Sequence, residues 1–347
     1  MRTFSPEWLE DVGTRIFESR GAPTTAARTV AASLVTASLM GHDSHGVMRI
    51  ARYVDKIVQG TLDPAAAPEV SRRLGATAVV DGGRGFGQVA AQYGTRLAIE
   101  LARTHGIGAV ALARTNHVGR LGAYAERISA AGQIGLIFAS GAGPGGSVAP
   151  YGGSERMFGT NPLAWSLPVP EGRGPLVADF STSMIPEGKI AVAQARGESL
   201  PPGAVIDREG RATTDADAFY DGGALLPFGG HKGSSLVLLI ELMASLLAGS
   251  VPSSSSEYRP GNPTLILALS VEAFIPRDDY VRHTADLLQR IESSPPAEGF
   301  DRVRVPNALE LETLQQRRVT GIPLHEPVWT ELAGLARAAG LPLDPRP

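Results

Sequence analysis

Cysteine is absent from all 347 residues, which excludes a disulfide framework, a thiolate zinc site and a cysteine nucleophile. Charge imbalance is nearly absent too. The formal net charge of -3 gives no broad basic field for nucleic acid or an anionic membrane surface. The longest apolar stretch, Leu236 to Leu247, is broken by Glu241 and is too short to span a bilayer. Residues Met1 to Glu10 lack the basic start and apolar run of a signal peptide. A G-x-S-x-G nucleophile elbow is missing, and the histidines at 42, 45, 117 and 231 do not reproduce H-E-x-x-H. The expectation is a soluble, cytoplasmic protein with no metal, no nucleic-acid or membrane partner, and a small molecule as ligand.

What is present suits a folded protein. With 43% hydrophobic and 19% charged residues the chain can bury a core, and its length suggests an α/β body with a smaller lobe, or two joined domains. Helical spacing is read over 6–20, 24–40 and Val47 to Gln59, with Thr24 or Thr25 as an N-cap and Gly60 as a stop. A strand at Thr77 to Val80 leads through Asp81-Gly82-Gly83 to a helix from Gln88 to His105. A strand at Gly108 to Ala113, a helix at Leu121 to Ala131 and a strand at Ile134 to Ala139 follow. Residues 141–175 read mostly as loops with short strands. Ser234 to Ala248 reads as a strongly apolar helix, and Thr264 to Leu269 as a buried strand.

Several stretches carry possible chemistry. Gly85-Phe86-Gly87-Gln88-Val89-Ala90 fits G-x-G-x-x-G/A after a strand. A Rossmann unit also requires an acidic residue roughly 20 positions on, and Ala109 to Ala113 offers none, so a plain glycine turn is preferred. Gly41-His42-Asp43-Ser44-His45-Gly46, with Arg49, is richer. On a helix, His45 and Arg49 would share a face. An imidazole can take a hydroxyl proton near neutrality while a guanidinium holds a carboxylate. The stretch is equally compatible with a capped helix start. Asn116-His117-Val118-Gly119-Arg120-Leu121-Gly122, between strand and helix, can admit a phosphate or form a tight turn. Asp179-Phe180-Ser181-Thr182-Ser183 offers small polar groups at a strand end. Gly229-Gly230-His231-Lys232-Gly233 places a lysine at a helix start, where a phosphate or plain solvent can meet it.

These segments, in this order with Ala149-Pro150-Tyr151-Gly152-Gly153, Gly159-Thr160-Asn161-Pro162 and Gly188-Lys189, resemble the malate/L-lactate dehydrogenase type 2 family from about residue 5 to about 340. Its sulfolactate, ureidoglycolate and diketogulonate dehydrogenases share this pattern, and the hydroxycarboxylate dehydrogenase B branch looks closest. The resemblance implies a non-Rossmann α/β fold with a mixed central sheet and a homodimer in which both subunits shape the site. Residues 1–75 would form a helical lobe packed with 300–347. Residues 76–300 would form the cofactor-binding and dimerisation body, and 301–347 would return to the lobe.

The implied activity is NAD- or NADP-dependent interconversion of a 2-hydroxy acid and a 2-oxo acid. By motif match His45 is the proton donor and acceptor, Arg49 the carboxylate clamp and Ser44 the group orienting the imidazole; some relatives use the position of His117 as base. The cofactor would meet His45, Gly119, Arg120, Leu121, Leu176, Val177, Ala178, Asp179, Phe180, Ser181, Lys232, Asn262 and Pro306. One departure stands out. The family often has Pro-Gly-Glu where this chain has Pro306-Asn307-Ala308; asparagine tolerates a left-handed backbone, but the carboxylate is missing. Reduction of a cyclic imine acid is the runner-up activity, and a cofactor-binding protein without catalysis is a third reading.

Overall fold

The computed structural model describes residues 2–141, 143 and 145–341. It opens with β1 (Arg2–Phe4), α1 (Pro6–Glu18), α2 (Thr24–Leu39) and α3 (Arg49–Val58). The Ser5 hydroxyl accepts the Trp8 N–H at 3.1 Å and Pro6 fills the first turn of α1, two ordinary helix-start devices. The start of α2 differs from expectation. Pro23 is its N-cap residue and no side chain caps it, so Thr24 and Thr25 lie inside the first turn. Leu9, Ile16 and Phe17 of α1 pack on Val30 and Leu34 of α2 and on Ile50 and Tyr53 of α3.

The chain then runs through β2 (Glu69–Leu74), β3 (Thr77–Asp81), α4 (Gly87–His105), β4 (Ile107–Ala113), α5 (Gly122–Ala130), β5 (Gln133–Ala139), β6 (Leu163–Leu167) and β7 (Leu176–Phe180). Next come α6 (Glu187–Arg196), β8 (Val205–Ile206), β9 (Ala212–Thr213), α7 (Ala216–Tyr220), β10 (Ala224–Leu225) and α8 (His231–Ile240). The last elements are β11 (Thr264–Ser270), α9 (Arg277–Glu292), α10 (Ala308–Thr320), β12 (Ile322–Leu324) and α11 (Glu326–Ala338). β12 pairs antiparallel with β1, and Trp329 and Leu332 of α11 join the core of α1–α3, so both ends of the described chain share one apolar cluster.

The central sheet is mixed. Its seven strands run β2-β3-β4-β11-β5-β6-β7, and β3–β4 is the one parallel pair among them. β11 is apolar on both faces, as a strand covered on both sides must be. Ile266 and Ala268 face Val110, Ile137 and the helices α4 and α5. Leu265 faces the other way, onto Ala111, Phe138, Ile240 and Ala244. Each such burial contributes roughly 1.5–3 kcal/mol for a large aliphatic side chain. The pairing of β11 between β4 and β5 joins the two ends of the α/β body, bringing the turns after β4 and β5 beside each other.

The apolar helix expected over Ser234 to Ala248 is regular only to Ile240. Glu241–Leu246 is a π-turn, which widens the helix and lets the Glu241 carboxylate enter the protein while Leu238, Leu239, Leu242 and Leu246 stay exposed. β8, β9 and β10 make a separate small sheet with its own apolar cluster around Val205, Phe219 and Leu225. Among the described residues, no helix is long and apolar enough to cross a membrane.

Candidate active site

The stretch from Gly41 to Gly46 does not open a helix. Asp43–His45 is one 3-10 turn, Gly46 is extended, and α3 begins only at Arg49. The expected pairing of His45 with Arg49 on one helical face is therefore replaced by a folded-back arrangement. Arg49 Nε donates to the Ser44 carbonyl at 2.6 Å, and the Ser44 hydroxyl lies 3.0 Å from His45 Nδ1. Gly46 is required by packing, since a Cβ there would sit 2.0 Å from Ser38 Oγ. The turn is also held from the C-terminal side: Arg317 of α10 binds Asp43 at 2.6 Å, and His42 Nε2 lies 3.9 Å from Glu310.

His117 arrives from the turn after β4. Its ring stacks on that of His45, with centroids 5.2 Å apart and planes 30° from parallel. Behind it, His117 Nδ1 and the buried Tyr53 hydroxyl are 2.7 Å apart, and Gln88 Nε2 donates to that hydroxyl at 2.8 Å. Neither Tyr53 nor Gln88 is among the site residues expected from sequence. Tyr53 was legible in principle, because it stands one helical turn after Arg49 on α3. Gln88 was not, because only the approach of α4 to α3 brings it there.

Burial and cationic neighbours keep both imidazoles neutral. Burial, then Arg49, then His42 and Arg120 push His45 down to about 4. Burial, then Arg49, His45 and Lys56 push His117 well below its ordinary value. Burial raises Tyr53 to about 12, so its phenol keeps its proton. Arg49 is lowered by burial but remains a cation, given the high intrinsic pKa of guanidinium.

The turn carrying His117 is tightly stapled. Asn116 Nδ2 donates to the Arg84 carbonyl at 2.8 Å, and Lys56 Nζ donates to Asn116 Oδ1 at 3.1 Å. Val118 N–H donates to Asn262 Oδ1 at 3.0 Å, and Asn262 Nδ2 donates to the Ser140 carbonyl at 2.7 Å. Asn262 thus braces the turn by way of its whole amide. Gly87 serves this packing, since a Cβ there would lie 2.2 Å from the Asn116 carbonyl oxygen and 2.4 Å from that of His117, whereas Gly85 lies close against Ala66 and the Gly82 carbonyl.

A cavity of about 390 Å³ is lined by His42, Arg120, Val177 to Phe180 and Arg304 to Glu310; of the 41–46 stretch only His42 reaches its wall, and His45, Arg49 and His117 do not line it. It brings together most of the expected cofactor neighbours from the β7 end with Arg120 and Pro306. Arg120 is buried and paired with Glu126 at 2.5 Å. Asp179 accepts the Gly122 N–H at 2.8 Å; burial raises its pKa, opposed by that bond, by Arg120 and by His42. Asn307 has φ +74 and donates to the Pro175 carbonyl at 2.9 Å, so the turn that lacks the family's glycine still closes. The walls can receive a nicotinamide dinucleotide: Arg120 and Arg304, each also paired with carboxylates, suit phosphates, the Val177-Ala178 strand end suits a flat ring, and His42, whose pKa burial lowers, offers a neutral imidazole. Ser181 bonds to Ser183 at 3.0 Å, while Lys232 is exposed at the start of α8; neither lines the cavity.

A family model described as malate/L-lactate dehydrogenase matches residues 4–333. The chain belongs to that family. Hydroxycarboxylate dehydrogenase B of Escherichia coli (strain K12) is 34% identical over 346 residues, 98% of this chain and 95% of that protein. A Delta(1)-pyrroline-2-carboxylate/Delta(1)-piperideine-2-carboxylate reductase of Pseudomonas putida is 36% identical over 241 residues, 70% of each. The sulfolactate dehydrogenase structure from Methanocaldococcus jannaschii superposes with a TM-score of 0.89 at 30% identity, covering 98% of both chains. The fold is thus the mixed-sheet, non-Rossmann type of that dehydrogenase. The relatives are oxidoreductases of small carboxylates, hydroxy acid dehydrogenases with a cyclic imine carboxylate reductase among them, and normally use a nicotinamide cofactor.

Proposed function

We propose that the protein interconverts a 2-hydroxy acid and a 2-oxo acid with NAD or NADP, using His45 as general acid and base and Arg49 as carboxylate clamp. The observation that carries this reading is the convergence of His45, stacked on His117 and bonded to Ser44, with Arg49 folded back beside it. When bound, the nicotinamide ring supplies or accepts the hydride. Val177 to Phe180, Arg120 and Pro306 would hold the dinucleotide in the cavity that His42 lines.

The electrostatics support the assignment of the proton to His45. A neutral imidazole is ready to take the hydroxyl proton of a hydroxy acid. In the reverse direction it must carry a proton. A substrate carboxylate on Arg49 cancels one of the charges that depress His45, raising its pKa toward neutrality when substrate is in place. His117, bonded to the buried Tyr53 phenol, is left to hydrogen-bond the substrate oxygen through Nε2.

A second reading is favoured by the Pseudomonas putida reductase, which matches over 70% of the chain. A cyclic C=N bearing a carboxylate presents the same two demands, a carboxylate clamp and a proton at the reacting group. A panel of 2-oxo acids and cyclic imine carboxylates, read by loss of reduced-cofactor absorbance, separates the two. Turnover of oxo acids is expected. No turnover of either class with NADH or NADPH refutes both readings.

The same reading includes a homodimer. Leu238, Leu239, Leu242, Leu246 and Leu247 expose between 43% and 56% of their surface along α8 and the π-turn, a contiguous apolar stripe that solvent disfavours. A second copy placing the same stripe against it would bury both.

A further inference from the structure

We propose that Glu241 is a positioning residue that fixes the two halves of the site relative to each other, the turn carrying His117 and the strand end lining the cofactor cleft. It rests on the dehydrogenase reading above. Glu241 is 1% exposed, yet its carboxylate touches no cation among the described residues. Instead it accepts from four donors. Oε2 accepts the Ser140 hydroxyl at 2.9 Å and Asn161 Nδ2 at 2.7 Å, while Oε1 accepts the Ser253 N–H at 3.1 Å and the Ser245 hydroxyl at 3.3 Å. An unpaired carboxylate is costly to bury, and hydrogen bonds to its charged form are what make that tolerable.

Two arms leave this carboxylate. Through Ser140, whose carbonyl accepts from Asn262 Nδ2, it reaches Asn262 Oδ1 and so the N–H of Val118, next to His117. Through Asn161 it reaches Thr182, whose hydroxyl donates to the Asn161 carbonyl at 3.0 Å, just beyond Val177 to Phe180. Asn161 is held at φ +30, a conformation that side-chained residues rarely adopt, and its amide is pinned by Glu241 and by the Val237 carbonyl. The π-turn at Glu241 is explained by the same geometry, because a widened turn aims one carboxylate at donors from Ser140 just after β5, the Asn161 loop and the Ser253 loop together. The Ser245 and Ser253 donors lead to neither arm. That asymmetry makes the role testable.

The test compares Ser140→Ala, Asn161→Gly and Ser245→Ala. Ser140→Ala and Ser245→Ala each remove one hydroxyl from the same carboxylate, but only the first cuts the arm to His117. Asn161→Gly keeps the left-handed backbone accessible and cuts the arm to the cofactor strand. Thermal denaturation midpoints, kcat for the best 2-oxo acid, and NADH and NADPH affinity by fluorescence titration are measured. Expected is a fall of about 10-fold or more in kcat for Ser140→Ala with cofactor affinity kept, since misplacement near 1 Å can cost 10²-fold. Asn161→Gly is expected to weaken cofactor binding about 10-fold, and Ser245→Ala to stay within about 2-fold on both measures. Glu241→Gln, which turns one acceptor into a donor facing donors, should combine the two losses. Equal kinetic effects of Ser140→Ala and Ser245→Ala at equal loss of midpoint overturn the positioning role. A wild-type protein without cofactor binding or turnover would instead overturn the dehydrogenase reading beneath it.

Discussion

Acidification should destabilise the wild-type protein more steeply than a His45→Gln variant. In the folded protein His45 titrates at about 4, against 6.5 in the unfolded chain. Between those values the unfolded state binds a proton that the native state refuses, so stability is fully present above pH 6.5 and falls as pH drops toward 4. At ~1.36 kcal/mol per pH unit this one imidazole accounts for on the order of 3 kcal/mol, a sizeable part of the roughly 5–15 kcal/mol that holds a typical domain folded. Urea unfolding of the cofactor-free protein at steps from pH 7.5 to 4.5 measures the slope directly. Glutamine keeps a polar side chain beside Ser44 and Arg49 but binds no proton, so its packing cost is a constant offset. The wild-type curve should fall more steeply by close to one proton per molecule between pH 6.5 and 4.5. His117 is depressed in the same direction, and His117→Gln should flatten the curve further. Parallel curves for wild type and His45→Gln would refute the claim that the half-buried His45 is held neutral beside a cation.

Arg49→Ala should raise KM for carboxylate substrates by about 10- to 100-fold, the worth of one charge-assisted contact, with a smaller effect on the corresponding esters; it should also raise the His45 pKa measured by NMR titration, because Arg49 is the largest charge depressing it. Asn307→Ala loses the bond to the Pro175 carbonyl and places alanine at φ +74, for a stability loss of about 2 kcal/mol in chemical denaturation, whereas Asn307→Gly should lose only the bond. Leu242→Asp with Leu246→Asp should convert the expected dimer to monomer in light scattering, and a wild-type protein that is already monomeric would remove the basis of that prediction.

Local grammar was legible wherever short-range periodicity decides structure. The helices at 6–18, 24–39 and 87–105 and the strands at 107–113, 133–139 and 264–270 lie close to their expected bounds. Placement was not, because it depends on partners far away in the chain. Nothing in Thr264 to Ser270 says that it separates β4 from β5, and that insertion brings Asn262 to the Val118 N–H. The 3-10 turn at Asp43–His45 escaped for a similar reason: Ser38 and Arg317 hold it from outside the local window. The π-turn at Glu241 came from the same source, donors contributed by Ser140, Asn161 and Ser253.

The glycines at 85 and 87 show how a correct physical rule can point to the wrong object. Glycine there does mark a close approach of backbone to something, as it would in a pyrophosphate-binding turn. The approaching group is the Asn116-His117 backbone, which leaves no room for a Cβ on Gly87. Close packing in this position places His117 against Tyr53 and within stacking distance of His45. Gly87 therefore forms the floor beneath the turn that carries His117, and a bulkier residue there would displace His117 before it disturbed any cofactor. Gly87→Ala should accordingly lower turnover while leaving NADH affinity nearly unchanged in fluorescence titration. Equal loss of both would return the glycines to the cofactor.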